Sequence, residues 1–496
     1  MKRLLLLLFA AAGLSAQAKV AAPAIFGDNM VLQQQRKVRL WGTSDAREVT
    51  LRVSWSDEEF RTAVKEGRWE LAVPTPAGSY EPQTLTVSDA DSELKWYNVL
   101  IGEVWICSGQ SNMYMPLRGY TGQPVDEALP ALLETGDYRD RIRMITLPKR
   151  DAATPQYDFE GRWEVPSPET ALRMSATAYF FARSLTQTLG VPVGIVSTSW
   201  GGSKIEAWMD PASLAELGYD VAKINADPKI EPRAKCGLLY NGLVAPVAGF
   251  AARGFVWYQG ESNLFDKASA EPNKSGLCRD EKRCMKMNRK EAPRYARLME
   301  RMAAYWRAQW GDTRARMPFL YVQIAPHAYK SAGDTDASLL VEAQSDALDR
   351  IPNAAMVSTT DLGSETCIHP PHKRPVGERL AAAALVRAYS RKLPDALAVR
   401  FAGAEFADGK ALVRFDNARL GLSAAGGTVT GFELAGQDGR FHPATARIVA
   451  SKPEVEVSTP EVPAPAAVRY SFRNFAPGNL RNSLGMPVIP FRTDRQ

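Results

Sequence analysis

Histidine and cysteine are scarce in this chain, and the shortage narrows the chemistry open to it. Among 496 residues there are 4 histidines, His327, His369, His372 and His442, and 5 cysteines, at 107, 236, 278, 284 and 367. Neither set shows the clustered spacing of a zinc site, so no metal centre is expected. An odd cysteine count allows two disulfides at most, and Cys278 with Cys284, in one charged loop "LCRDEKRCMK", is the expected pair. Blocks of Lys and Arg interleaved with aromatics are missing, as is an acidic tail, so a nucleic-acid surface is not expected. Beyond the N-terminus no run is long and apolar enough to span a bilayer.

What is present is the composition of a soluble globular protein, 45% hydrophobic and 23% charged, long enough for two or three domains. The opening "MKRLLLLLFAAAGLSAQAKV" places Lys2 and Arg3 before an apolar run and ends in Ala16-Gln17-Ala18. This is the pattern of a secretory signal peptide over residues 1–18, cleaved after Ala18, and implies export to a bacterial periplasm or the exterior. Cleavage would bring the formal charge from +6 to +4, too mild to suggest a polyanionic partner.

Chain texture changes twice. Residues 19–100 carry short β-type runs such as "KVRLWGTS" and "RWELAVPTP", which predict an N-terminal β domain. Residues 101–395 alternate amphipathic helices with apolar strands: "ATAYFFARSLTQTLG" places Ala178, Phe181, Ala182, Leu185 and Leu189 on one face, and "PVGIVSTSW" follows. That order predicts an α/β domain, a parallel sheet with helices on both faces. Residues 396–496 return to β-type runs, with Asp438-Gly439 as a hairpin turn, and predict a C-terminal sandwich-type segment.

Ligands of open α/β sheets bind beyond the carboxyl ends of the strands. In the middle region "EVWIC" runs into Ser108-Gly109-Gln110-Ser111-Asn112, and "PVGIVSTSW" into Gly201-Gly202-Ser203. "GFVWYQ" runs into Gly260-Glu261-Ser262-Asn263, and "AAMVSTTD" leads on to His369. Hydroxyl, glycine, amide and imidazole thus converge on one edge, the inventory that acyl transfer by a serine requires. Ser111 suits the nucleophile better than Ser108, because Gly109 permits a tight turn that sets Ser111 at a helix start. An ordinary N-cap serine is the competing reading. The α/β-hydrolase elbow G-x-S-x-G is not met, since Met113 stands at its second glycine. His369, ahead of a helix with Pro375 in its first turn, is the favoured base over His327, which also follows a strand.

Four blocks, "GEVWICSGQSNM", "VPVGIVSTSWGGSKIEAWM", "GFVWYQGESN" and "DLGSETCIHPPHKRPVGERLA", resemble in this order the sialate O-acetylesterase family, a branch of the SGNH hydrolases. The C-terminal "GFELAGQDGRFHPA" and "NSLGMPVIPFRTD" are similar too. The resemblance implies an SGNH-type fold and removal of acetyl groups from sugar hydroxyls, on sialic acids or on xylan and xyloglucan, without metal or organic cofactor. It makes Ser111 the nucleophile and His369 the base. The oxyanion hole would be formed by Ser111, by Gly201 or Gly202, and by an amide from Gln259 or Asn263, with Glu261 as an orienting group. Many SGNH enzymes carry an Asp three residues before the histidine, where this chain has Thr366. Asp361 is the favoured substitute, Glu365 an alternative, and a Ser-His dyad a third arrangement. A sialate carboxylate would want a cation, for which Arg118, Lys373 and Arg374 are candidates. The insertion 264–290 is expected to shape substrate choice. A non-catalytic carbohydrate-binding protein is the alternative from another class.

Overall fold

The computed structural model describes residues 19–265, 287–329 and 334–495. The expected signal peptide and the Cys278–Cys284 pair lie outside these residues. Cys107 and Cys367 are free thiols.

The core is a parallel sheet of six strands, β1 (Glu93–Gly109), β2 (Ile142–Thr146), β3 (Val193–Ser197), β4 (Gly254–Tyr258), β5 (Phe319–Val322) and β6 (Ala354–Val357). They lie in the order β2-β3-β1-β4-β5-β6. Side chains of a strand alternate between faces, and here both faces are apolar. Phe255, Trp257, Phe319, Tyr321 and Met356 enter one hydrophobic cluster. Val256, Tyr258, Leu320, Val322 and Val357 enter the other. Helices α2 (Ala176–Leu189) and α5 (Lys373–Arg387) pack together and cover the second face. Helices α3 (Ala292–Gln309) and α4 (Asp336–Ala347) cover the first. In α2 the residues Ala178, Phe181, Ala182 and Leu185 are buried as their spacing requires, and Ser175 caps the helix start by accepting from the Ala178 N–H.

The N-terminal β region is not set apart from this core. β1 is 17 residues long, and the expected boundary between residues 100 and 101 falls inside it. Its first part pairs antiparallel with Ser79–Ser88 and parallel with Val31–Gln33, and its second part pairs with β3 and β4. The sequence pattern missed this because both halves read as strand, and the isolated Asn98 and Gly102 near the boundary interrupt the strand without ending it.

A buried ion pair fixes the crossing point. Glu103, fully buried on β1, receives two hydrogen bonds from the Arg253 guanidinium at 2.7 and 2.8 Å. It also accepts from the side-chain amides of Gln33 at 3.1 Å and Gln34 at 2.6 Å. Four charge-assisted bonds offset the desolvation of the carboxylate.

The C-terminal region forms two four-stranded sheets around its own cluster of Val413, Val455, Val468, Tyr470 and Phe491. Gly439, at φ 68°, turns the hairpin between Phe432–Ala435 and Phe441–Pro443 as expected. Arg492 returns to the core and pairs with Glu342 of α4 at 2.7 and 3.0 Å.

Glu103→Ala would strand the Arg253 guanidinium in a partly buried site without its carboxylate. A loss of about 3–5 kcal/mol in unfolding free energy is expected from denaturant titration. A loss below about 1 kcal/mol would mean that the pair does not hold the two halves of β1 in place.

Candidate active site

The turn after β1 is shaped by one glycine. Gly109 adopts φ 138°, and a Cβ there would lie 2.2 Å from the Tyr258 carbonyl oxygen, so the chain can pass β4 only without a side chain. The Gln110 N–H then donates to the same Tyr258 oxygen at 2.9 Å, and the Gln110 side-chain oxygen accepts from the Ser262 N–H at 3.2 Å. These contacts join the ends of β1 and β4. Helix α1 (Ser111–Tyr114) starts directly after the turn, with Gln110 as its cap residue and no side-chain capping bond. Ser111 is therefore its first helical residue and not an N-cap serine. Ser108, by contrast, is a fully buried β1 residue whose hydroxyl finds no partner among the described residues.

The His369 Nε2 lies 2.8 Å from the Ser111 Oγ. A carbonyl oxygen faces its other ring nitrogen: the Gln123 Oε1 lies 2.7 Å from Nδ1. With Nδ1–H donating to Gln123, Nε2 presents its lone pair and the Ser111 hydroxyl donates to it. The Tyr120 ring stands edge-on to the imidazole at 5.1 Å between centroids, and its hydroxyl donates to the Ser111 carbonyl at 3.0 Å. Burial first, then the Lys373 and His327 charges, push the His369 pKa down to about 4, so the imidazole is neutral at ordinary pH.

A buried polar chain below the pair sets its spacing. Lys373 Nζ donates to Asn112 Oδ1 at 2.6 Å. The Asn112 amide donates to Glu261 Oε1 at 2.6 Å and to the Ile368 carbonyl at 3.1 Å. Asn112 follows Ser111 and Ile368 precedes His369, so this one amide clamps the two loops together. All three side chains are buried, which raises the Glu261 pKa and lowers that of Lys373 to about 7.

The remaining expected residues divide. The Trp200 N–H donates to the Gly109 carbonyl at 3.0 Å, which draws the end of β3 against the turn. A Cβ on Gly201 would lie 3.2 Å from the Ser111 Cβ, whereas one on Gly202 would meet the Arg233 guanidinium at 2.9 Å. Gly201 is thus the glycine beside the hydroxyl. No acceptor for the Ser111 or Gly201 N–H occurs among the described residues. Gln259 spends both amide hydrogens, on the Ser203 carbonyl at 2.9 Å and on Asn263 Oδ1 at 2.7 Å, which corrects its expected role as an oxyanion donor. The Asn263 amide donates to Glu206 Oε2 at 2.8 Å, and this leaves it one further hydrogen in the bonds observed.

Asp361 is also corrected. Its carboxylate is taken by Arg379 of α5 in a bidentate pair at 2.8 and 2.7 Å, and Gln123 stands at the imidazole position it was expected to fill. Position at a strand end was a fair signal, but a guanidinium one helix away offers a carboxylate two bonds where an imidazole offers one. Glu365 is exposed. The rival base His327 directs Nδ1 to the Ser364 carbonyl at 3.0 Å. Of the cations considered, Lys373 is buried under the site and Arg374 is paired with Glu127 and Glu378, while Arg118 is exposed. Sequence reasoning missed Gln123 and the Lys373–Asn112 contact. Gln123 sits in a turn without periodicity, and Lys373 carries no sign of burial beyond its place four residues after His369.

A neutral imidazole on a serine hydroxyl, beside unpaired backbone N–H groups, can deprotonate the hydroxyl and receive a negative oxygen. Comparison with known proteins agrees with this chemistry. The family model described as carbohydrate esterase, sialic acid-specific acetylesterase, matches residues 101–278. The chain is 28% identical to the human sialate O-acetylesterase over 338 residues, 64% of this chain and 59% of that one. It is 28% identical to the mouse sialate O-acetylesterase over 417 residues, 73% of this chain and 72% of the other. The chain thus spans 59% of the length of the Pongo abelii and human relatives. Among solved structures it is similar to a carbohydrate acetylesterase from Xanthomonas citri, with 34% identity and a TM-score of 0.82 over 96% of this chain and 99% of that one.

Asp361→Asn should leave the NMR titration of the His369 imidazole where it is in the native protein, because the carboxylate serves Arg379. A clear fall in that midpoint would return Asp361 to the imidazole's surroundings.

Proposed function

The chain belongs to the sialate O-acetylesterase family of carbohydrate esterases, and from that membership we propose that it hydrolyses O-acetyl esters on sugars, with Ser111 as nucleophile and His369 as base. The observation that carries the proposal is the 2.8 Å contact between Ser111 Oγ and the His369 Nε2, with Gly201 against the same serine.

In the first step Ser111 Oγ attacks the acetyl carbonyl while its proton passes to Nε2 of His369. The carbonyl oxygen becomes negative and is met by the N–H groups of Ser111 and Gly201 and by the remaining amide hydrogen of Asn263. The C–O bond to the sugar breaks, and His369 returns the proton to the departing sugar hydroxyl. In the second step His369 takes a proton from water as it attacks the acetyl-serine; the bond from the acetyl carbon to Ser111 Oγ then breaks, acetate leaves, and His369 returns the proton to Oγ. No step calls on a metal, and no group of histidine, cysteine or acidic side chains suited to hold one occurs among the described residues.

An O-acetylated sialic acid is the preferred substrate within this reading, supported by the family description and by the named activity of the mammalian relatives. Arg118 is the cation left open to a sialate carboxylate, since Lys373 and Arg374 are engaged elsewhere. An exported enzyme, working in a periplasm or outside the cell, fits the N-terminal sequence pattern, and no helix among the described residues is long and apolar enough to cross a membrane.

Ser111→Ala should abolish acetate release from an acetylated model ester while the thermal midpoint stays near that of the native protein. Unchanged turnover would defeat the assignment. Asn263→Ala should lower kcat by about a hundredfold, since it removes one oxyanion donor, and a nearly native kcat would exclude Asn263 from the hole. Acetate release measured side by side on acetylated sialic acid and acetylated xylan decides the sugar: faster release from xylan would replace the sialate reading.

A further inference from the structure

The geometry points to Gln123 as the positioning residue of the Ser111–His369 pair: a neutral side-chain carbonyl, in the place usually given to a carboxylate, holds the imidazole in the tautomer that accepts the serine proton. This inference rests on the reading of Ser111 and His369 as nucleophile and base.

Two observations carry it. The first is the contact itself, 2.7 Å from Gln123 Oε1 to Nδ1, which is the bond that chooses between the two neutral tautomers. The second is that Gln123 is held in a built turn and does not reach in from a loose loop. The Tyr120 N–H donates to the Gln123 carbonyl at 3.0 Å and the Gln123 N–H returns a bond to the Tyr120 carbonyl at 2.9 Å. Tyr120 is anchored in turn to the Ser111 carbonyl through its hydroxyl and packs its ring on the imidazole. One four-residue turn therefore contacts both members of the pair and fixes Nδ1 from the side opposite to Ser111.

The exchange of carboxylate for amide has a physical consequence. An acid at Nδ1 both selects the tautomer and stabilises the imidazolium that forms when the proton arrives. The amide oxygen does the first fully and the second only as a dipole. The other groups that face the ring supply no anion. Lys373 approaches from α5, His327 from the loop after β5, Ser111 from α1, and the Cys367 thiol donates to the His369 carbonyl at 3.2 Å. Glu261 is hydrogen-bonded to Asn112, which in turn bonds the Ile368 carbonyl, and its charge acts on Lys373. The imidazole thus stays unprotonated, and able to act as a base, down to about pH 4. A carboxylate at residue 123 would favour the imidazolium, raise its pKa and bring the loss of the base to higher pH.

The test uses Gln123→Glu and Gln123→Ala in the full-length protein, with the His369 ring titration followed by NMR and acetate release measured across pH. Gln123→Glu should raise the His369 midpoint by about one pH unit or more, and the acidic limb of kcat/KM should move up with it. Gln123→Ala should lower kcat by about tenfold or more with KM nearly unchanged, and Gln123→Glu should recover most of that loss above its new limb. An unmoved His369 midpoint in Gln123→Glu, or native kcat in Gln123→Ala, would overturn the inference. Loss of folding in Gln123→Ala would leave the Gln123→Glu titration to decide. If the native protein released no acetate, the catalytic reading would fail, whereas the NMR shift would still report whether Gln123 sets the state of the ring.

Discussion

The hydrogen bond between Ser111 and His369 joins residues 258 positions apart, and it forms only because several separate constraints place two loop residues within 2.8 Å. Gly109 lets β1 turn against β4, which sets Ser111 at the first position of α1. The packing of α5 on α2 sets where the chain re-enters after β6, and therefore where His369 stands. The Asn112 amide then closes the gap from Ser111 to Ile368. Loss of any one of these would move an oxygen or a nitrogen by more than the tolerance of a hydrogen bond.

The buried chain of Lys373, Asn112 and Glu261 shows how the site is stiffened. Its side chains lie out of water, and Glu261 Oε2 has no hydrogen-bond partner among the described residues, so the chain carries a cost that an apolar one would not. Its return is a fixed separation between nucleophile and base. The positive end of the chain lies near the imidazole and lowers the pKa of His369, and the absence of an acid at Nδ1 leaves that effect uncompensated. The account is of a base kept neutral and aimed by uncharged groups, in which preorganisation carries what a carboxylate would otherwise supply.

Much of this could be read from the sequence, for reasons that differ between residues. The alternation of helix and strand predicts the parallel sheet because helices with a 3.6-residue apolar spacing are separated by short continuous apolar runs. Ser111 and the pair Gly201-Gly202 follow from strand ends that carry small and polar residues in order, though the choice of Gly201 needs the structure, and the scarcity of histidine reduces the choice of base. Three matters were hidden. The passage of β1 through the expected domain boundary is hidden because the change of texture there falls within one continuous strand, across Asn98 and Gly102. Asp361 occupies a plausible position but is drawn off by Arg379, a partner 18 residues later on a helix. Gln123 contacts a residue 246 positions away from a turn whose sequence, Gly119-Tyr120-Thr121-Gly122-Gln123, announces only a turn.

The central claim is that one serine, and not its neighbour three residues earlier, is made nucleophilic by His369. A fluorophosphonate that labels activated serines, followed by peptide mass spectrometry, tests this most directly. The account predicts a single labelled site at Ser111 in the native protein and no label when His369 is replaced by alanine. A label on Ser108, or labelling of Ser111 that is indifferent to His369, would contradict it.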